Sequence, residues 1–276
     1  MTISSTDFDF VRNYVKSKSA ITLEAGKEYL VETRLSSIIV SEGLKDISDL
    51  VIKMKERADS PLHARVLDAM TTNETFFFRD ITPFEVLKKE VIPDLLSRRS
   101  PNGPLNIWCA ASSSGQEPYT ISMVIADNFP SLKTPGCLTF IASDISQQML
   151  AKAKSGLYTQ LEVNRGLPAA LLVKHFTKVG LDWQIKDEIK RMVDYRMINL
   201  STTFPSLPQM DIIFIRNVLI YFEVEVKKKI LEQIRKVMKP DAYLFLGGSE
   251  TTFNLDDNFE RCDLNKTVAY RLKKPK

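Results

Sequence analysis

The chain has 276 residues, 44% hydrophobic and 26% charged, the composition of a globular protein with one large domain or two modest ones. Its formal charge of +4 argues against the Lys/Arg excess that nucleic-acid binders concentrate on one face, so no nucleic-acid partner is expected. Cys109, Cys137 and Cys262 form no CxxC pair and have no histidine at ligand spacing, so no disulfide framework or metal site is expected and a reducing cytoplasm fits best.

The first eighty residues read as helices. Asp7 to Lys18 puts Phe8, Val11 and Val15 on one stripe. Thr22 reads as the N-cap of a longer helix carrying Leu23, Tyr29, Leu30, Ile38 and Ile39 and ending near Gly43. Ser48 to Arg57 repeats the pattern with Leu50, Val51 and Met54, and Ser60-Pro61 opens another helix with Val66, Leu67 and Met70. An all-helical N-terminal domain over 1–72 follows. The segment from Thr71 to Asp80 breaks the periodicity, which makes 73–82 a linker. Thr82-Pro83-Phe84-Glu85 reads as a capping box that starts a helix to about Leu96, and Ser100 to Pro104 reads as a loop.

From there the pattern alternates. Leu105 to Ala110, Leu138 to Ala142, Arg191 to Ile198, Asp211 to Ile215, Tyr243 to Leu246 and Thr267 to Leu272 read as strands. Helices are expected from Glu117 to Phe129, from Ser146 to Gly156 and from Val224 to Met238, with Pro240-Asp241 as a turn. Strands alternating with helices over 83–276 imply an α/β fold with a mostly parallel, doubly wound sheet, which binds ligands beyond the carboxyl ends of its strands. Residues 157–190 do not fit the alternation and read as a small inserted β-subdomain. No apolar run approaches the roughly 20 residues that cross a bilayer, and Met1 is followed by no signal-peptide pattern, so a cytoplasmic protein without membrane insertion is expected.

Three segments carry chemistry. The first strand-to-helix turn, Ala110-Ala111-Ser112-Ser113-Ser114-Gly115-Gln116-Glu117-Pro118, has almost only small side chains, so a ligand can approach its backbone. A plain tight connection would look the same. Asp144 ends the next strand, where a carboxylate can accept both hydroxyls of a ribose or merely favour a helix dipole. Together they suit an adenosine-bearing cofactor. Arg216, Asn217 and Tyr221 interrupt the apolar run Phe214 to Phe222 and need partners, internal or ligand.

These residues resemble one family. Asn73-Glu74-Thr75-Phe76-Phe77-Phe78-Arg79, Ser114 to Tyr119, Ser143-Asp144-Ile145 and Arg216 to Phe222 follow the order and spacing of the CheR chemotaxis receptor methyltransferases, and Leu246-Gly247-Gly248-Ser249-Glu250 resembles a fifth block. The resemblance runs from about residue 5 to 272. It implies a Rossmann-like S-adenosylmethionine-dependent methyltransferase domain with a small antiparallel β-subdomain, preceded by an all-α N-terminal domain. By resemblance Asn73, Thr75 and Arg79 reach the cofactor, the latter two near its methionine end, which Glu117 also faces. Asp144 holds the ribose, Asn199-Leu200 lies beside the adenine, Arg216 and Asn217 line the pocket, and Tyr221 stands near the methyl. The implied reaction is methyl transfer to glutamates in the cytoplasmic domain of methyl-accepting chemotaxis proteins, leaving S-adenosylhomocysteine, with Arg79 and Tyr221 as catalytic residues.

The sequence departs from the family in two ways. Residues 1–80 hold 11 Lys/Arg against 13 Asp/Glu, so the basic receptor-facing surface ascribed to the family is missing as a net charge. The turn after Phe176 is about three residues shorter than in members that grip a tethering pentapeptide at the receptor tail, so no pentapeptide binding is expected. A methyltransferase for another acceptor and a non-catalytic S-adenosylmethionine-sensing module are the alternatives.

Overall fold

The apolar stripes of the N-terminal segment become four helices, α1 (Ser5–Ser19), α2 (Glu28–Ser41), α3 (Ile47–Glu56) and α4 (Pro61–Met70). The structure, a computed structural model, describes residues 3–57, 60–98 and 103–274; the expected loop residues Ser100 to Asn102 fall outside them. Ser4 caps α1 by accepting the Asp7 N–H at 3.1 Å, and Asp46 caps α3 by accepting that of Asp49 at 3.0 Å. The helices bury Phe8, Val11, Val15, Leu35, Leu50, Met54 and Val66 in one cluster. The second helix starts at Glu28 and not at Thr22. Residues before it are extended, with Ile21 bridging Phe222 and the Thr22 N–H donated to the Tyr221 carbonyl at 3.4 Å. Arg34 closes the end of α4, its Nη1 donating to the Met70 carbonyl at 2.7 Å and its Nη2 to the Thr72 hydroxyl at 2.9 Å. Met1–Thr72 form one compact unit together with Tyr221–Val226.

Asn73–Ile220 and Lys227–Lys276 form the second unit. It opens with α5 (Thr82–Val86), which continues through one π turn, Leu87–Val91, into α6 (Ile92–Arg98). The capping box expected at Thr82 is absent. Thr82 is already helical, its hydroxyl donates back to the Asp80 carbonyl at 3.0 Å, and Glu85 pairs with Lys89 at 2.7 Å.

The sheet has the order β6-β2-β1-β7-β8-β10-β9. Its strands are β1 (Leu105–Ala110), β2 (Leu138–Asp144), β6 (Asp194–Met197), β7 (Met210–Ile215), β8 (Met238–Leu246), β9 (Phe259–Leu264) and β10 (Thr267–Leu272). The first five in chain order run parallel, and the last two form an antiparallel hairpin beside β8. Strand β1 is buried throughout, as a parallel strand covered on both faces must be. The helices α7 (Gln116–Asn128), α8 (Gln147–Ser155) and α12 (Val224–Val237) make the crossovers. Pro240 does not turn the chain before a strand. It lies within β8, where the register to β7 shifts between Met210 and Ile212 and a residue without an N–H is tolerated. Strand β9 is an addition to the sequence-based reading.

The insertion holds a three-stranded antiparallel sheet in the order β3 (Leu157–Tyr158), β5 (Asp182–Ile185) and β4 (Phe176–Val179), with the short helices α9 (Gln160–Asn164), α10 (Ala169–His175) and α11 (Asp187–Lys190). It joins the main core through Phe77, whose ring meets Tyr158 edge-on at 5.1 Å and Phe176 at 5.7 Å. Gly166 makes this approach possible. Its φ is +87°, and a Cβ there would lie 2.0 Å from the Phe77 carbonyl oxygen. Gly166→Ala is therefore expected to lower stability by about 3 kcal/mol, from the left-handed backbone together with the overlap. A urea midpoint equal to wild type would show that the contact is dispensable.

Candidate active site

Strand register places the carboxyl ends in a row: Ala110 pairs with Ser143 and Ile215, Asp144 with Met197, and Ile215 with Leu246. The turn after β1 passes through left-handed dihedrals at Ala111 (φ 54°), Ser113 (φ 48°) and Gly115 (φ 92°). Small side chains allow this. Gly115 is also required by packing, since a Cβ would meet the Tyr195 hydroxyl at 2.8 Å and the Ala153 Cβ at 2.9 Å. The Asp144 carboxylate, buried at the end of β2, accepts the Ser113 N–H at 2.8 Å and the Ser146 N–H at 2.9 Å. It thus fixes the turn after β1. Beyond β6, the Ile198 N–H is donated to the Asp144 carbonyl at 3.1 Å, which brings Asn199 and buried Leu200 to the same end of the sheet. The Asn199 side-chain oxygen accepts the Ser201 N–H at 3.0 Å and so shapes its own turn.

Arg216 is the charged centre. Its side chain is 1% exposed. Nη1 pairs with Glu117, and Nη2 donates to Asp80 Oδ2 at 2.6 Å and to the Arg79 carbonyl at 3.2 Å. Burial opposes the guanidinium charge, but Glu117 and then Asp80 outweigh it and raise the pKa above its usual value. The other Glu117 oxygen accepts the Cys109 thiol at 3.2 Å. Burial first, and the Glu117 charge second, push that thiol well above its ordinary value.

The linker reaches this centre through its backbone. Ser113 donates its hydroxyl to the Asn73 carbonyl at 2.8 Å, and Thr120 accepts the Phe78 N–H at 3.1 Å. Phe78, Asp80 and Ile81 all have positive φ, a strained run that turns the Arg79 carbonyl and the Asp80 carboxylate onto Arg216. The Arg79 side chain lies over the Phe76 ring at 5.6 Å and donates to the Glu74 carbonyl at 3.0 Å. Arg165 lies over the same ring at 4.5 Å. Asn73 and Thr75 line a cavity of about 380 Å³ with Ser114, Gln116, Met149 and Lys152. A second cavity, of about 450 Å³, is lined by Asp80, Arg216, Gly247, Glu250, Arg261 and Lys266.

The second unit therefore gathers Asn73, Thr75, Arg79, Glu117, Asp144, Asn199, Leu200, Arg216 and Asn217. Tyr221 closes a 3-10 turn, Leu219–Tyr221, and counts with the helical unit. Asp80 and Glu250 are part of the arrangement; Glu250 ends the fifth block of the resemblance, but the sequence assigns neither residue a role. Asp80 follows Arg79 directly, and its value as a partner for a buried arginine 136 residues away has no local sign. Among the described residues no group of three or more His, Cys, Asp and Glu is placed to hold a metal ion.

The donor set suits a cationic nucleoside cofactor. Asp80, Glu117 and Asp144 bring carboxylates to the strand ends, where a cationic group is favoured. The buried Nε of Arg216 has no acceptor among the described residues.

Comparison with known families matches residues 73–268 to the CheR methyltransferase SAM binding domain and residues 6–71 to the CheR methyltransferase all-alpha domain. The chain is 40% identical over 278 residues to Chemotaxis protein methyltransferase Cher2 of Pseudomonas putida, covering 99% of this chain and 100% of that protein. Chemotaxis protein methyltransferase 1 of Pseudomonas aeruginosa is also 40% identical at the same coverage. Chemotaxis protein methyltransferase 1 of Vibrio cholerae is 39% identical over 99% of both chains.

Lysine cannot replace the guanidinium fork of Arg216, because one ammonium cannot bind Glu117, Asp80 and a carbonyl in the same geometry. Arg216→Lys is expected to lower unfolding free energy by about 3 kcal/mol, the usual scale for breaking a buried pair, and to weaken S-adenosylhomocysteine binding. Wild-type values in chemical denaturation and calorimetry would mean that the fork carries neither.

Proposed function

The chain belongs to the CheR methyltransferase family, and we propose that it esterifies glutamate side chains in the cytoplasmic domain of methyl-accepting chemotaxis receptors, using S-adenosylmethionine. The methyltransferase class and the cofactor follow from the family. The receptor glutamate is the finer reading. One observation carries it: the strand-end centre has charged positioning groups, and its carboxylates Asp80 and Glu117 are paired with Arg216, so among the described residues none of the histidines or of this pair stands free there as a general base for an uncharged acceptor. The chain has two histidines. His63 lies in α4 with its Nδ1 3.1 Å from Ser60 Oγ, and His175 has its Nε2 3.0 Å from Asp127 in the second unit. Asp80 and Glu117 are both committed to Arg216. A glutamate acceptor needs no base, being ionised at pH 7.

In this reading Asp144, Asn199 and Leu200 hold the nucleoside, and Asn73, Thr75, Arg79, Glu117, Arg216 and Asn217 surround the amino-acid end. The bound cofactor supplies a methyl group on a sulfonium, a good leaving group. The protein's part is alignment and exclusion of water. Arg79 attracts the acceptor carboxylate and Tyr221 orients it. The carboxylate loses its charge on becoming an ester, so an Arg79 pair that is too tight would favour the ground state and slow transfer. Arg79 lies over the Phe76 ring and donates to the Glu74 carbonyl, an acceptor without a full charge.

Receptor-containing membranes incubated with enzyme and methyl-labelled S-adenosylmethionine are expected to show label in a receptor-sized band that is released at high pH, as a methyl ester is. Arg79→Ala and Tyr221→Phe are expected each to lower kcat by about ten-fold or more while S-adenosylhomocysteine still binds. Wild-type turnover in both variants would remove these roles, and alkali-stable label would point to another acceptor.

Strands β4 and β5 are joined by only Gly180 and Leu181, with Gly180 at φ +60°. This short turn supports an enzyme that does not grip a tethering pentapeptide. Calorimetry is expected to show no binding of a receptor-tail pentapeptide, and a micromolar affinity would overturn this.

A further inference from the structure

We propose that Glu250 is a positioning residue of the transfer site, a carboxylate clamp that sets the main chain from which Arg216 and Asn217 project. The inference rests on the cofactor-site role given above to those two residues. Glu250 follows the end of β8. Its Oε2 accepts the Asn217 N–H and the Gly247 N–H, each at 2.7 Å. Its Oε1 accepts the Val218 N–H at 2.9 Å and the Ile220 N–H at 3.3 Å. Both oxygens are thus used on main-chain donors, three of which lie in the loop that leaves β7. Among the described residues no cation pairs with this carboxylate.

Two further observations point the same way. Asn217 has φ +58°, a left-handed conformation that asparagine tolerates better than other residues with a Cβ but does not prefer over the right-handed one. The Glu250 carboxylate fixes it, taking the N–H groups of Asn217 and of Val218 after it. Gly247 shows how close the approach is: a Cβ there would meet the Asn217 Nδ2 at 2.7 Å, Glu250 Oε2 at 2.7 Å and the Asn217 N at 2.8 Å. The turn closes on itself as well, since the Glu250 N–H is donated to the Gly247 carbonyl at 2.9 Å. The ends of β7 and β8 are therefore locked together through one carboxylate, on the side of the loop next to the Arg216 network.

Glutamine has the same shape but only one acceptor oxygen. In Glu250→Gln the amide nitrogen must face two N–H donors, which forces that pair away and frees Asn217 to leave its left-handed conformation. The expected result for the full-length variant is a rise of about ten-fold or more in the S-adenosylhomocysteine Kd, measured by calorimetry without receptor. The KM for receptor at saturating cofactor is expected to stay within about two-fold of wild type, a split that general loosening of the fold would not give. A Kd within about two-fold of wild type in folded Glu250→Gln overturns the proposal, and so does a higher receptor KM with an unchanged Kd.

If Glu250→Gln does not fold, Glu250→Ala decides. It leaves four N–H groups around a carboxylate-sized gap. Tighter S-adenosylhomocysteine binding in acetate than in chloride at equal ionic strength supports the clamp, and equal binding in the two salts, or none, overturns it. Because the readout is cofactor binding, failure of wild-type enzyme to label receptors would sink the proposed function and leave this inference standing.

Discussion

The site depends on one buried cation. Arg216 is held by two carboxylates and a carbonyl that come from two places in the chain: Glu117 at the start of α7, and the linker, which supplies both the Asp80 side chain and the main chain of Arg79. A guanidinium removed from water loses several kcal/mol of solvation unless such partners replace it. The linker must therefore fold onto the sheet for the end of β7 to be stable at all. This ties the strained backbone at Phe78, Asp80 and Ile81 to the sheet, because its cost is met by the hydrogen bonds that the strain makes possible.

Around this cation two carboxylates do the same job at different strand ends. Asp144 accepts two N–H groups and pins the turn after β1; Glu250 accepts four and pins the loop after β7. In each case an acidic side chain at or just beyond the end of one strand organises the backbone beyond its neighbour. The glycines that matter follow from this. Gly115 and Gly247 stand where a neighbouring polar group approaches too closely for a Cβ.

The legible parts of the fold were those with a strong period. Strands β1, β2 and β7 are buried, so they appear as apolar runs, and the small-residue turn and Asp144 follow at fixed places. Strand β9 was not legible because Phe-Glu-Arg-Cys-Asp-Leu is an edge strand with charges on its open face. Leu23 mimics the phase of α2, yet Gly26 at φ +83° and the bridge at Ile21 keep that segment extended. Pro240 read as a turn because the bulge that admits it depends on register with β7. The residues of the site were found by resemblance and local pattern, but their partners were not. Asp80 meets Arg216 across 136 residues, and Glu250 meets Asn217 across 33. Tyr221–Val226 group with the helical unit, and no local pattern announces that either.

Cys109 sits in the wall of this centre, with its thiol hydrogen directed at Glu117. Oxidants and electrophiles attack a thiolate, and here burial and a neighbouring negative charge both work against forming one. The sulfur is therefore chemically silent. A protein whose cofactor carries an electrophilic methyl gains from this, because a buried thiol held against a carboxylate competes poorly with an acceptor for that methyl.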